Sequence, residues 1–177
     1  MVGVIAFVLF IGISVALICI VKYREEHRYL SYSELPQSQI LFIKTLTEEY
    51  ENDFRTKIKV IDAGGRIYSC TLYGEVFEMN DGTYAEIMDC YVEEDIIKSP
   101  KVQEMYELLL KIDRNAEFEI VSDTFVLDSG TTGYYGVLFQ ENGDAEYVLL
   151  WSRGENLGQG IINAPCVQDI CKWLSNP

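Results

Sequence analysis

Apolar and polar positions fall into three regimes along this chain: an unbroken apolar start, segments with a helical rhythm, and segments that alternate residue by residue. The start is Val2 to Val21, VGVIAFVLFIGISVALICIV, which holds no charged residue and closes at Lys22. At about 1.5 Å per residue, twenty helical positions span roughly 30 Å, the thickness of a hydrocarbon core. In lipid every backbone amide must be satisfied within the segment, which favours a helix. A single-pass transmembrane helix is therefore expected, with residues 1–30 as anchor and basic flank and residues 31–177 as one domain. A cleaved signal peptide would bring a basic n-region, and only Met1 precedes the run. Lys22, Arg24 and Arg28 follow it. Positive flanks stay inside, so the domain is expected to be cytoplasmic, with the lipid bilayer as a partner.

Helical spacing recurs three times after the start. Ile40, Leu41, Ile43, Leu46, Tyr50 and Phe54 predict a helix over Gln37 to Asn52. Ser99-Pro100 opens a second helix running to about Arg114, and Pro165 opens a third. Alternation predicts strands over Lys57–Ile61, Arg66–Met79 and Thr83–Val92, the last two joined by an Asn80-Asp81-Gly82 hairpin. Asp62-Ala63-Gly64-Gly65 reads as a turn. Glu117–Leu127, Tyr134–Gln140 and Glu146–Trp151 form a second set of strands, with a turn at Glu141-Asn142-Gly143-Asp144. The expected order is helix, three strands, helix, three strands, helix. Hairpins dominate it, so the expected class is α+β with mainly antiparallel strands.

Charge narrows the partners. From residue 31 onward, 11 Lys and Arg stand against 26 Asp and Glu. Such a field repels nucleic-acid phosphates and favours a basic protein, although net charge speaks to solubility before function. The cysteines are Cys19, Cys70, Cys90, Cys166 and Cys171. Zinc sites usually bring short C-x2–4-C knuckles in pairs; here only Cys166 and Cys171 are that close, nineteen residues separate Cys70 from Cys90, and no histidine is available to complete a mixed site, so no metal is expected. In the cytoplasm the four in the domain would be reduced, small apolar residues.

The single histidine, His27, lies beside the apolar run. Ser-His-Asp, Cys-His and His-based metal sites are therefore out of reach within one chain. Cys166 follows Pro165 in a helix's first turn, where a thiolate is favoured, but packing is the commoner role for such a residue. The run Glu93-Glu94-Asp95, with Asp89 nearby, lacks the ligand alternation of a calcium loop and reads as solvated. Arg153 to Gly160 is glycine-rich without a phosphate-loop pattern.

One stretch carries a resemblance. Phe125-Val126-Leu127-Asp128-Ser129-Gly130-Thr131-Thr132 resembles the active-site signature of aspartic proteases. The resemblance implies that Asp128 shares a proton with a second aspartate and activates water. The chain departs from the family at Gly133 and Tyr134, and has no second Asp-Ser/Thr-Gly, so the enzyme would be a symmetric dimer. The competing reading is a polar turn between strands.

The tyrosines offer the other candidate. Tyr84, Tyr134 and Tyr135 fall on expected strands and suit an aromatic interaction surface ringed by acid, although strands enrich tyrosine in any case. Two function classes result. The first is a membrane-anchored, non-catalytic interaction module with an acidic surface, of which an immunity or inhibitor-type protein is one form. The second is a membrane-bound hydrolase using Asp128. No cofactor is expected in either.

Overall fold

The computed structural model of the chain describes residues 28–50, 53–74, 78–113, 116–122, 130–154 and 158–177. Eight strands and three helices make up most of it. In chain order they are β1 (Ile40–Tyr50), β2 (Asp53–Asp62), β3 (Arg66–Gly74), α1 (Asp81–Cys90), β4 (Val92–Ile96), α2 (Ser99–Leu110), β5 (Phe118–Ser122), β6 (Thr131–Phe139), β7 (Ala145–Gly154), β8 (Gly158–Ile162) and α3 (Pro165–Ser175). A 3-10 turn at Tyr32–Glu34 precedes β1. The strands form one sheet in the order β4-β3-β2-β1-β6-β7-β8-β5, and every pair is antiparallel.

This architecture corrects the expected α+β order. The molecule is mostly one antiparallel eight-stranded sheet, and two segments have the opposite structure from the one predicted. Residues from Ile40 to Tyr50 form a strand, not a helix. Ile40, Leu41, Phe42 and Ile43 are all buried because β1 lies at the centre of a sheet covered on both faces, where no polar side is needed. A continuous apolar run of that kind satisfies a helical template by accident. Residues from Asp81 to Cys90 form a helix, not the returning arm of a hairpin. The Asn80 side chain accepts from the Thr83 N–H at 3.0 Å, so Asn80 acts as an N-cap where a tight turn was expected.

The expected transmembrane helix has no counterpart among the described residues. Among the described residues no helix is long and apolar enough to cross a membrane. The run Val2 to Val21, with Lys22 and Arg24, lies outside the described residues. Chain entry at Tyr29 and Leu30 is extended: Tyr29 bridges Gln140, and the Leu30 N–H donates to the Phe139 carbonyl at 2.7 Å.

Successive residues of a strand point to opposite faces, so the register sorts side chains into layers. Ile43 pairs Val60 and Tyr135, and Thr45 pairs Ile58, which sets the first face. Helix α1 covers it. The Tyr68 and Tyr91 rings lie 4.4 Å apart there, and those of Tyr84 and Tyr147 lie 6.0 Å apart. Phe42 pairs Gly136, and Lys44 pairs Lys59 and Tyr134, which sets the second face. Helices α2 and α3 pack together over part of it. Phe42 meets the Trp173 ring edge-on at 5.1 Å. A side chain on Gly136 would meet the Leu109 methyls at 2.5 Å, so the missing Cβ lets α2 approach the sheet.

The β2–β3 turn ties these layers together. Asp62 is fully buried and accepts from the Arg66 N–H (2.8 Å), Arg66 Nε (2.9 Å) and the Tyr68 hydroxyl (3.2 Å). A buried carboxylate is tolerated when it is paired and hydrogen-bonded in this way. Gly65 has φ +85°, and its carbonyl accepts from the Ile97 N–H at 2.7 Å. Ser99 Oγ donates to the Gly64 carbonyl at 3.1 Å. The turn therefore fixes where β4 ends and α2 begins.

Candidate functional site

The residues chosen from the sequence do not converge. Tyr134 and Tyr135 are neighbours on β6, so they face opposite sides of the sheet. Tyr134 is buried on the second face and stacks on Trp151 with ring centroids 4.9 Å apart. Tyr135 is half-buried on the first face, and burial, then Glu78, raises its phenol above the ordinary tyrosine value. Tyr84 lies on α1 and accepts at its hydroxyl from Gln39 Nε2 (3.1 Å). Burial raises the Tyr84 phenol too. The Tyr84 ring, beside Tyr147 of β7, holds α1 against the sheet, and the three present no common aromatic surface.

Asp128 and Ser129 of the protease-like stretch lie outside the described residues. Gly130 and Thr131, at its end, are described. Thr131 pairs Thr47 of β1, so the stretch leads into the sheet beside the hairpin end of β1. The four domain cysteines carry free thiols. Cys70 on β3 hydrogen-bonds Cys90 at the end of α1, and its thiol is pushed up to about 12 by burial first and by that neighbour second. Burial alone pushes Cys171 up to about 12. Neither is an activated nucleophile, because a raised value leaves the thiol protonated. Among the described residues no group of three or more His, Cys, Asp or Glu is placed to hold a metal ion.

The acidic run behaves differently from a solvated loop. Val92-Glu93-Glu94-Asp95-Ile96 is β4, the outermost strand beside β3, and all five residues are exposed. A bulge in the pairing sets Glu93 opposite Tyr68 and Asp95 opposite Ile67, with Glu94 as the extra residue between them. Glu94 turns back to the sheet. It accepts from Ser69 Oγ at 2.6 Å and meets Lys59 Nζ at 2.9 Å. The Ser69 hydroxyl and then the Lys59 ammonium hold its carboxyl below the usual range.

Glu93 and Asp95 are left to solvent. Among the described residues neither makes an ion pair. Val92 and Ile96 bracket them at 67% and 63% exposure. The strand thus offers three things at once: an outer side that no described strand pairs, two carboxylates with no described ion pair, of which Asp95 accepts from the Ile96 N–H at 2.7 Å, and two bare aliphatic side chains. Natural edge strands are blunted by charged side chains, bulges or a covering segment. β4 carries acidic charge and a bulge, and among the described residues no strand pairs its outer side.

The opposite edge is β5, where Ile120 and Val121 are 64% and 52% exposed. It differs in charge. Its one described carboxylate inside the strand, Glu119, accepts from Asn163 Nδ2 at 2.9 Å.

The β4 edge does not stand out in the sequence, where Glu93 to Asp95 read only as a solvated acidic run. The available signal was the aliphatic residue at each end of the acidic triplet, a strand-like frame around the charge. Chemically the edge can add a strand. It holds no nucleophile, no histidine and no metal-binding group. No family model, no curated protein and no solved structure matches this chain.

Proposed function

We propose that the protein is a non-catalytic interaction module that receives an extended, basic segment of a partner protein along β4. The observation behind this reading is that β4 is an exposed edge strand, unpaired on its outer side among the described residues, whose carboxylates Glu93 and Asp95 make no described ion pair and are bracketed by bare Val92 and Ile96. An incoming strand would draw affinity from main-chain hydrogen bonds and specificity from alternate side chains. Its aliphatic residues would cover Val92 and Ile96. Its cations would meet Glu93 and Asp95. The net charge of −14 adds long-range attraction for such a partner and speeds encounter. An immunity or inhibitor-type protein that neutralises a basic target is one form of this activity.

The test uses a synthetic fluorescent peptide of alternating lysine and valine, titrated by anisotropy. The reading predicts saturable binding that weakens as salt rises from low to physiological strength. Glu93→Lys/Asp95→Lys should weaken binding at least tenfold with an unchanged melting temperature. Equal binding by this variant would overturn the reading, as would saturable binding insensitive to salt.

A further inference from the structure

The second face of the sheet carries a feature at odds with an acidic protein. Lys44 of β1 sits directly opposite Lys59 of β2, and Lys57 lies two residues further along β2, opposite Leu46. Like charges facing each other across an antiparallel pair are unfavourable. Arg55 continues the stripe on the same face, and its Nε is buried with no hydrogen-bond partner. Violations of a local rule that the fold does not require mark functional sites.

Lys44, Lys57 and Lys59, but not Arg55, line an open cleft of about 620 Å³, left where α3 ends at Ser175 and short of β4. Ligand sites commonly fall in this size range, with apolar walls and few polar groups. Leu46, Ile61, Ile67 and Leu174 supply the apolar walls here. The cations within the cleft are not equivalent. Lys57 pairs Glu48 at 2.9 Å and Lys59 pairs Glu94 at 2.9 Å. Lys44 has no carboxylate partner among the described residues, and its Nζ lies 5.6 Å from the centre of the Tyr134 ring. Burial, and then Lys59, disfavours its charged form. An anion placed against Lys44 would relieve both penalties.

We infer that this cleft binds a small organic anion, a carboxylate on an apolar body, with Lys44 holding the carboxylate and Leu46, Ile61, Ile67 and Leu174 covering the body. A multiply charged ligand is less suited. Glu94 and Asp95 line the same cleft, and Lys57 and Lys59 already answer carboxylates of the protein. The remaining acidic charges lie further off, and at physiological salt they are screened beyond roughly 8 Å. Asp95 borders both this cleft and the edge of β4, but the inference rests on Lys44 and does not depend on the partner reading.

The test uses decanoate labelled with carbon-13 at its carboxyl, with 1-decanol as the uncharged control. The carboxyl resonance is followed by NMR, and competition by decanol is measured in the same samples. The expected result is saturable decanoate binding at least tenfold tighter than decanol. Lys44→Met should abolish that preference and Lys44→Arg should keep it. A thermal melt of each variant establishes that it folds. The inference is overturned if decanol competes as well as decanoate itself. It is equally overturned if folded Lys44→Met binds decanoate like the parent, or if no binding is seen.

Discussion

Phe42 and Lys44 sit two residues apart on the same face of β1, and the two halves of that face have opposite fates. Around Phe42 the sheet is sealed. Trp173 meets the ring, Leu109 fills the space above Gly136, and Phe42 itself is fully buried. Around Lys44 the helices run out, and Lys57 and Lys59 line a cleft that opens toward β4. The sealed half is built by shape, down to the missing Cβ of Gly136. The open half is built by charge and carries little packing. Stability should therefore reside in the first and recognition in the second, so substitutions in the two halves should move different observables.

The largest effect should come from the sealed half. Leu109→Ala removes fully buried methyls from the α2–sheet contact and should lower stability by about 2–5 kcal/mol, read by chemical denaturation. Peptide affinity of the folded fraction should not change. At the β4 edge, toward which the open half leads, Glu93→Lys/Asp95→Lys should do the reverse, costing at least tenfold in peptide binding and leaving the denaturation midpoint in place. Among the described residues neither makes an ion pair, and exposed charges contribute little to stability.

Alkaline titration sharpens the contrast further. On the first face burial raises the Tyr147 phenol, with its hydrogen bond to Asp81 (2.8 Å) adding to the effect. Tyr84 and Tyr135 are raised as well. The unfolded chain loses these protons near pH 10 while the fold retains them. Their stabilisation is thus complete below about pH 10 and is lost as pH rises through the folded values. Tyr147→Phe should flatten that alkaline decline, measured by denaturation midpoints from pH 8 to 11.

Lys44 has the opposite sign. Its folded value is lowered, so the unfolded chain binds the proton more tightly and stability rises with pH as the ordinary lysine value near 10.5 is approached. Lys44→Met should remove that small rise and leave stability at neutral pH equal or slightly higher. This is the smallest of the expected changes.

The sequence revealed local signals better than context. Ser99-Pro100 and Pro165 do open helices, and Asn142-Gly143 does turn β6 into β7, because proline at N1 and glycine at positive φ act through their own backbone. What could not be read was how many neighbours a segment would have. Ile40 to Ile43 is apolar throughout because sheet covers both its flanks and helices both its faces, and nothing within those four residues announces that. Asn80 could open a turn or cap a helix, and Ala85-Glu86-Ile87-Met88 after it tips the balance to helix. For the site, the acidic triplet was visible, but its place at the sheet's edge depends on β3 lying beside it. The lysine stripe was invisible because Lys44 and Lys59 meet only through the β1–β2 register.

Amide hydrogen exchange of β4 tests the central claim most directly. In the free protein the β4 amides that point away from β3 meet no strand among the described residues and should exchange rapidly. With the lysine–valine peptide bound, alternate amides within Val92 to Ile96 should slow at least tenfold, while those of β5 stay unchanged. Protection at β5 instead, or an unaltered β4 at saturating peptide, would contradict the account.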